Sequence, residues 1–159
     1  MKLIAFATVS LATGLTALLA ASASAEEYTA VMVKDIKWQD APSIGPGAKT
    51  AVIHGDPKSS GPFVMRLKLP PRTTIGLHTH PATENVTVLN GTLYFAAADK
   101  FDANAAKAFG PGSYFSIDQG KAMFAYSKDA EVTLQIHGTG PWGIKYLESG
   151  APAKTAAKK

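Results

Sequence analysis

Gly76-Leu77-His78-Thr79-His80-Pro81-Ala82-Thr83-Glu84 is the segment of this 159-residue chain whose residue types and spacing could do chemistry. Side chains alternate along a strand, so two histidines one residue apart project from the same face. A carboxylate four residues later can return to the same spot from the next strand. Two neutral imidazoles and one carboxylate suit a divalent transition metal, and a three-ligand set leaves coordination positions open, as catalytic centres do. The chain has no cysteine, so any metal must be held by nitrogen, oxygen or thioether sulfur. A bare His-x-His beside a proline is more often a solvent-facing loop. Glu84 at this spacing in a β-rich chain adds a third donor and shifts the balance toward a metal site.

The elements that must position these residues read as short strands rich in β-branched and aromatic residues, separated by Gly, Pro, Asn and Asp clusters. Phe63, Met65, Leu67 and Leu69 alternate with Val64, Arg66 and Lys68, which is a strand with one buried face, ended by Pro70-Pro71. Glu84 to Leu89 is a second strand, and Asn90-Gly91 predicts a two-residue hairpin into Thr92 to Ala97. Ala103 to Phe109 reads equally as one helical turn or a loop, and Gly110-Pro111-Gly112 is a firm break. Asp118 to Lys121 and Lys128-Asp129 are turns flanking Met123 to Tyr126. The last long strand alternates Val132, Leu134 and Ile136 against Glu131, Thr133, Gln135 and His137. Roughly eight to ten strands of this kind suit a closed barrel or a two-sheet jelly roll.

Residues 1–25 read as a cleaved signal peptide: Lys2, an apolar run from Leu3 to Ala20, then Ala23-Ser24-Ala25 as the cleavage signal. The mature chain then begins at Glu26 and is periplasmic or secreted, with no membrane anchor. Residues 26–148 form one domain large enough to bury a core, and 149–159 is a basic tail with nothing large to bury, expected to be disordered. The formal net charge is only +4, with Lys2, Lys154, Lys158 and Lys159 in the terminal segments. No basic face interleaved with aromatics is visible, which excludes a nucleic-acid binder.

With these residues in place, the chain resembles the cupins, whose first motif is His-x-His, a Glu after three further residues and a Gly after six more. His78, His80, Glu84 and Gly91 fit that spacing, while the motif's early glycine does not, Pro70 and Pro71 standing near its place. The second cupin motif maps onto Gly112, Asp118, Gly120, Met123 and Ser127. Both glycines are kept, Asp118 replaces proline, Ser127 replaces asparagine, and Met123 replaces the ligand histidine. Gly61-Pro62-Phe63, Val86 to Leu89, Asp99 to Asp102, and Gln135 to Trp142 extend the similarity to a group of secreted bacterial cupins with no assigned function. The resemblance implies an all-β fold, a single cupin-type jelly-roll β-barrel, and a metal site at His78, His80, Glu84 and Met123. It also admits a homodimer.

Manganese, iron, zinc, nickel and copper all suit such ligands, with affinity weakened by Met123 in place of histidine. Met123 is either a soft thioether ligand favouring copper or an ordinary core filler. His137 replaces the missing imidazole or orients a bound molecule if its face lines the interior; otherwise it is hydrogen-bonded beside the Gly138 turn. Tyr94, Tyr126, Gln135 and Arg66 are further candidates for holding a small molecule. Trp142 reads as a plug at the barrel end and His54 as a loop residue. Two functions compete: a metal-binding cupin taking a small molecule, whose reaction the sequence does not assign, and a non-catalytic ligand-binding or sensing cupin that has lost its metal.

Overall fold

The computed structural model describes residues 28–147, so the leader at 1–25 and the tail at 149–159 lie outside the described residues. The strands are β1 (Gln39–Asp40), β2 (Lys49–His54), β3 (Pro62–Leu69), β4 (Thr74–Thr79), β5 (Glu84–Asn90), β6 (Leu93–Ala97), β7 (Lys107–Phe109), β8 (Tyr114–Ile117), β9 (Met123–Tyr126), β10 (Val132–Thr139) and β11 (Lys145–Tyr146). The ambiguous segment before β7 is a single 3-10 turn, Ala103–Ala105. It is capped by Asp102, whose carboxylate accepts the Asn104 backbone N–H.

The all-β class holds, but the sheets do not close into one barrel. One sheet runs β1-β2-β3-β10-β5-β8, the other β11-β4-β9-β6-β7, and all pairings are antiparallel. They pack as a jelly-roll-like sandwich, because each sheet has one apolar face. Phe63, Met65, Leu67 and Leu69 from β3 and Val132, Leu134 and Ile136 from β10 meet Ile75, Leu93 and Ala125 from the opposite sheet in one core. The period-2 alternation of β3 and β10 is therefore the force that joins the layers, since each buried side chain of this size contributes about 1.5–3 kcal/mol. A smaller cluster, Leu77, Ala96 and Phe124, lies apart from this core.

Asn90-Gly91 does not make the expected hairpin. β5 pairs with β8 and β10, whereas β6 pairs with β7 and β9, so the turn carries the chain from one sheet to the other. The tight corner passes against the Glu131 carbonyl, and Gly91 adopts φ +75°, a left-handed conformation only glycine reaches without strain. The physical reason for the difference is that a local turn signal specifies a reversal but not which strand is met afterwards.

Gly91→Ala should cost about 3 kcal/mol or more, because a Cβ would overlap the Glu131 carbonyl in addition to the backbone penalty. Gly120→Ala, at the same φ but with open space around it, should cost about 1 kcal/mol. Urea denaturation of both variants checks this, and equal losses would contradict the corner packing.

Candidate metal centre

His78 lies on β4, His80 just past its end, Glu84 opens β5 and Met123 opens β9. All four are buried, at 5% exposure or less, and all four line one small cavity between the two sheets. The five-stranded sheet supplies His78 and Met123, which face each other in register, and the six-stranded sheet supplies Glu84. His80 comes from the link between them. Glu84 reaches inward because it shares the face of Val86 and Val88.

A bulge aims His78. On β4, Ile75 pairs with Ala125 and His78 with Met123, so β4 spends one more residue than β9 over this stretch. The extra residue shifts the alternation, so that Ile75 and His78, three apart, both face the cavity while Leu77 joins the smaller cluster. Gly76 sits in the bulge, and its carbonyl accepts the His78 Nδ1–H at 2.7 Å. His80 is held the same way: Nδ1–H donates to the Gly143 carbonyl at 2.6 Å, and the ring stacks on Trp142 with centroids 4.7 Å apart and an interplanar angle of 16°. The two imidazoles meet edge to face at 4.9 Å.

A carbonyl oxygen can only accept, so both Nδ1 atoms carry the proton. Burial lowers the pKa of His78 and takes that of His80 down to about 4, so both rings are neutral and both Nε2 atoms keep a lone pair. Burial also pushes Glu84 up to about 8. The His80 Nε2 to Glu84 Oε2 approach of 3.5 Å is thus not an ion pair, because desolvation favours the neutral form of each partner. Two neutral nitrogen donors, a carboxyl and a buried thioether around one cavity match the chemistry of a borderline cation, whose charge would reverse the penalty on ionised Glu84. Among the described residues, however, no three His, Asp or Glu side chains form a group that could hold an ion as they stand. The donors surround a common space without forming a finished cage.

The other candidates lie elsewhere. Gln135 and His137 are on the face of β10 opposite Leu134 and Ile136, and Arg66 is on the same outward face of β3, its Nε 3.4 Å from Gln135 Oε1. The register gives the inward face to the aliphatic residues, so the condition under which His137 would reach the cavity is not met. Tyr94 and Tyr126 stack on each other at 5.0 Å, with the Lys128 ammonium over Tyr94, and neither lines the cavity. His54 is exposed at the end of β2. Two residues matter more than the sequence suggested. Trp142 is a wall of the cavity, and its Nε1–H has no acceptor among the described residues. Tyr146 pairs with His78 in register and donates its hydroxyl to the Ser43 carbonyl at 2.8 Å, fastening the site strand to the Ala41–Ile44 segment.

Residues 23–144 match the family described as "Domain of unknown function (DUF4437)". No curated protein matches the chain. Among solved structures, the polyketide cyclase RemF from Streptomyces resistomycificus is similar at 15% identity over 76% of this chain and 87% of that one, with a TM-score of 0.61. A putative acetylacetone dioxygenase from Methylibium petroleiphilum PM1 is similar at 15% identity, covering 81% and 86%, with a TM-score of 0.59. An RmlC-like cupin from Ralstonia eutropha JMP134 is similar at 14% identity, covering 76% and 80%, with a TM-score of 0.57. The fold is that of the cupins, as the spacing of His78, His80, Glu84 and Gly91 implied.

Glu84 has a folded pKa of about 8 against an ordinary 4.5, so the folded state holds the proton more tightly and stability falls as pH rises between those values. His80 acts oppositely: its folded value of about 4 against 6.5 removes stability as pH drops through that window. Between pH 6.5 and 8 Glu84 is the group, among the described residues, whose shift spans the interval. The metal-free protein should therefore lose about 4 °C or more of Tm over that interval, and Glu84→Gln should abolish the loss. A flat wild-type profile in calorimetry would contradict the burial of an uncompensated carboxyl.

Proposed function

The chain belongs to that family of unassigned function, and with no reaction inherited from it we propose that the protein binds one divalent transition metal ion through His78 Nε2, His80 Nε2 and the Glu84 carboxylate. One observation carries the reading: both Nδ1 atoms are committed to backbone carbonyls, which leaves two fixed nitrogen lone pairs for the cavity that Glu84 shares. Met123 lies beside them, as a weak sulfur donor or as apolar filler. A bound ion would supply Lewis acidity or an activated water. The chain's own part is to hold the rings in one tautomer, to exclude bulk water with an apolar wall, and to release the Glu84 proton when the cation arrives. The protein is exported in this reading, supported by the apolar run Leu3 to Ala20 and the Ala23-Ser24-Ala25 signal.

A second reading, a ligand-binding cupin without metal, is favoured by the lack of a finished three-ligand group among the described residues and by Met123 in place of histidine. Metal analysis separates the two. Protein isolated from the periplasm should begin at Glu26 and carry close to one equivalent of metal. His78→Ala and His80→Ala should each lose it, and Met123→His should tighten binding by about tenfold or more. Metal-free wild type that cannot be loaded with zinc, manganese or cobalt would favour the second reading.

A further inference from the structure

The cavity that holds the metal donors is only about 40 Å³, room for roughly three waters at ~10–15 Å³ each, so no organic molecule fits inside it. Next to it lies a groove of about 620 Å³, within the range that accepts drug-sized ligands. Ile44, Leu67, Ile136, Trp142 and Ile144 line both spaces, so a single layer of side chains separates them. Val52 and Met65 continue the apolar lining.

The polar groups of the groove decide what it takes. Asp40 is paired with Lys49 at 2.7 Å. Asp56 accepts the backbone N–H of Lys58, and these two opposite charges sit on one turn. The rim charges thus cancel in pairs, which favours neither an anion nor a cation. Trp142 is different: its Nε1–H is buried and has no acceptor among the described residues, a cost of about 1–3 kcal/mol that any oxygen acceptor reaching it would recover.

We propose that this groove binds a neutral, largely apolar molecule bearing a carbonyl-type oxygen, with Trp142 as the donor to that oxygen. The inference rests on the metal-site reading for its purpose, since it places the organic ligand beside the metal cavity, but not for the binding itself. The ligand packs its apolar body against Val52, Met65 and Ile136 and turns its oxygen toward the Trp142 indole that lines the same groove.

The test uses metal-free, ¹⁵N-labelled protein and two probes of nearly equal shape, acetophenone and ethylbenzene. Their ring currents are alike, so a difference in indole shift reports the carbonyl. The chain has two indole N–H signals, from Trp38 and Trp142, assigned with Trp142→Phe. Acetophenone should move the Trp142 signal and leave Trp38 in place, while ethylbenzene should move neither by a comparable amount. Trp142→Phe should weaken acetophenone by about threefold to tenfold and ethylbenzene by less than about twofold. Val52→Trp, at a half-exposed wall of the groove, should block both probes without unfolding the protein. Equal Trp142 shifts from the two probes, no shift at saturation, or binding that survives Val52→Trp would overturn the proposal. So would a dimer that closes the groove and that acetophenone does not weaken. Glu84→Gln keeps the two readings apart, because it should abolish metal uptake and leave the acetophenone shift intact.

Discussion

A carboxyl group shut away from water beside a neutral imidazole is the constraint on which the rest of this structure turns. Glu84 occupies a core-facing position of β5, on the face that Val86 and Val88 give to the hydrophobic interior. An isolated charge there is unfavourable, so the group stays protonated unless a positive partner arrives. The histidines cannot be that partner, because their own burial keeps them neutral. A fold that retains such a group is carrying a cost that a well-packed aliphatic side chain would avoid, and a cation is the partner that would remove it.

The surrounding architecture can be understood as support for that arrangement. The bulge at Gly76 turns His78 inward and frees the carbonyl that fixes its tautomer. Gly143, in the loop after the long strand β10, does the same for His80, and Trp142 holds the ring flat by stacking. β11 then clamps the site strand from its other edge through Tyr146. Donors from both sheets meet only because the corner at Gly91 and the link from β4 to β5 carry the chain across the sandwich.

Much of this was legible in the sequence, and the reasons for success and failure are physical. The alternation in β3 and β10 announced an inward aliphatic face, and that face is where the core lies. The His78, His80, Glu84 spacing announced a shared space, and the three side chains line one cavity. His78 and His80 line one cavity, as simple alternation implies, but the bulge upstream that aims His78 is not visible in the sequence, since an extra residue in one strand is defined only by its partner strand. The hairpin at Asn90-Gly91 failed for the same reason. Whether Gln135 and His137 reach the interior stays open in the sequence, because it gives two faces for each strand but not which one the polar members take. The roles of Trp142 and of the Gly143 carbonyl arise from contacts across some sixty residues of chain, which no local pattern encodes.

Crystals soaked in cobalt(II) and measured for anomalous scattering address the central claim most directly. One peak in the cavity, about 2.0–2.2 Å from His78 Nε2, His80 Nε2 and a Glu84 carboxylate oxygen, is the predicted result. A cavity with no anomalous density, or cobalt bound only at surface side chains such as exposed His54, would contradict it.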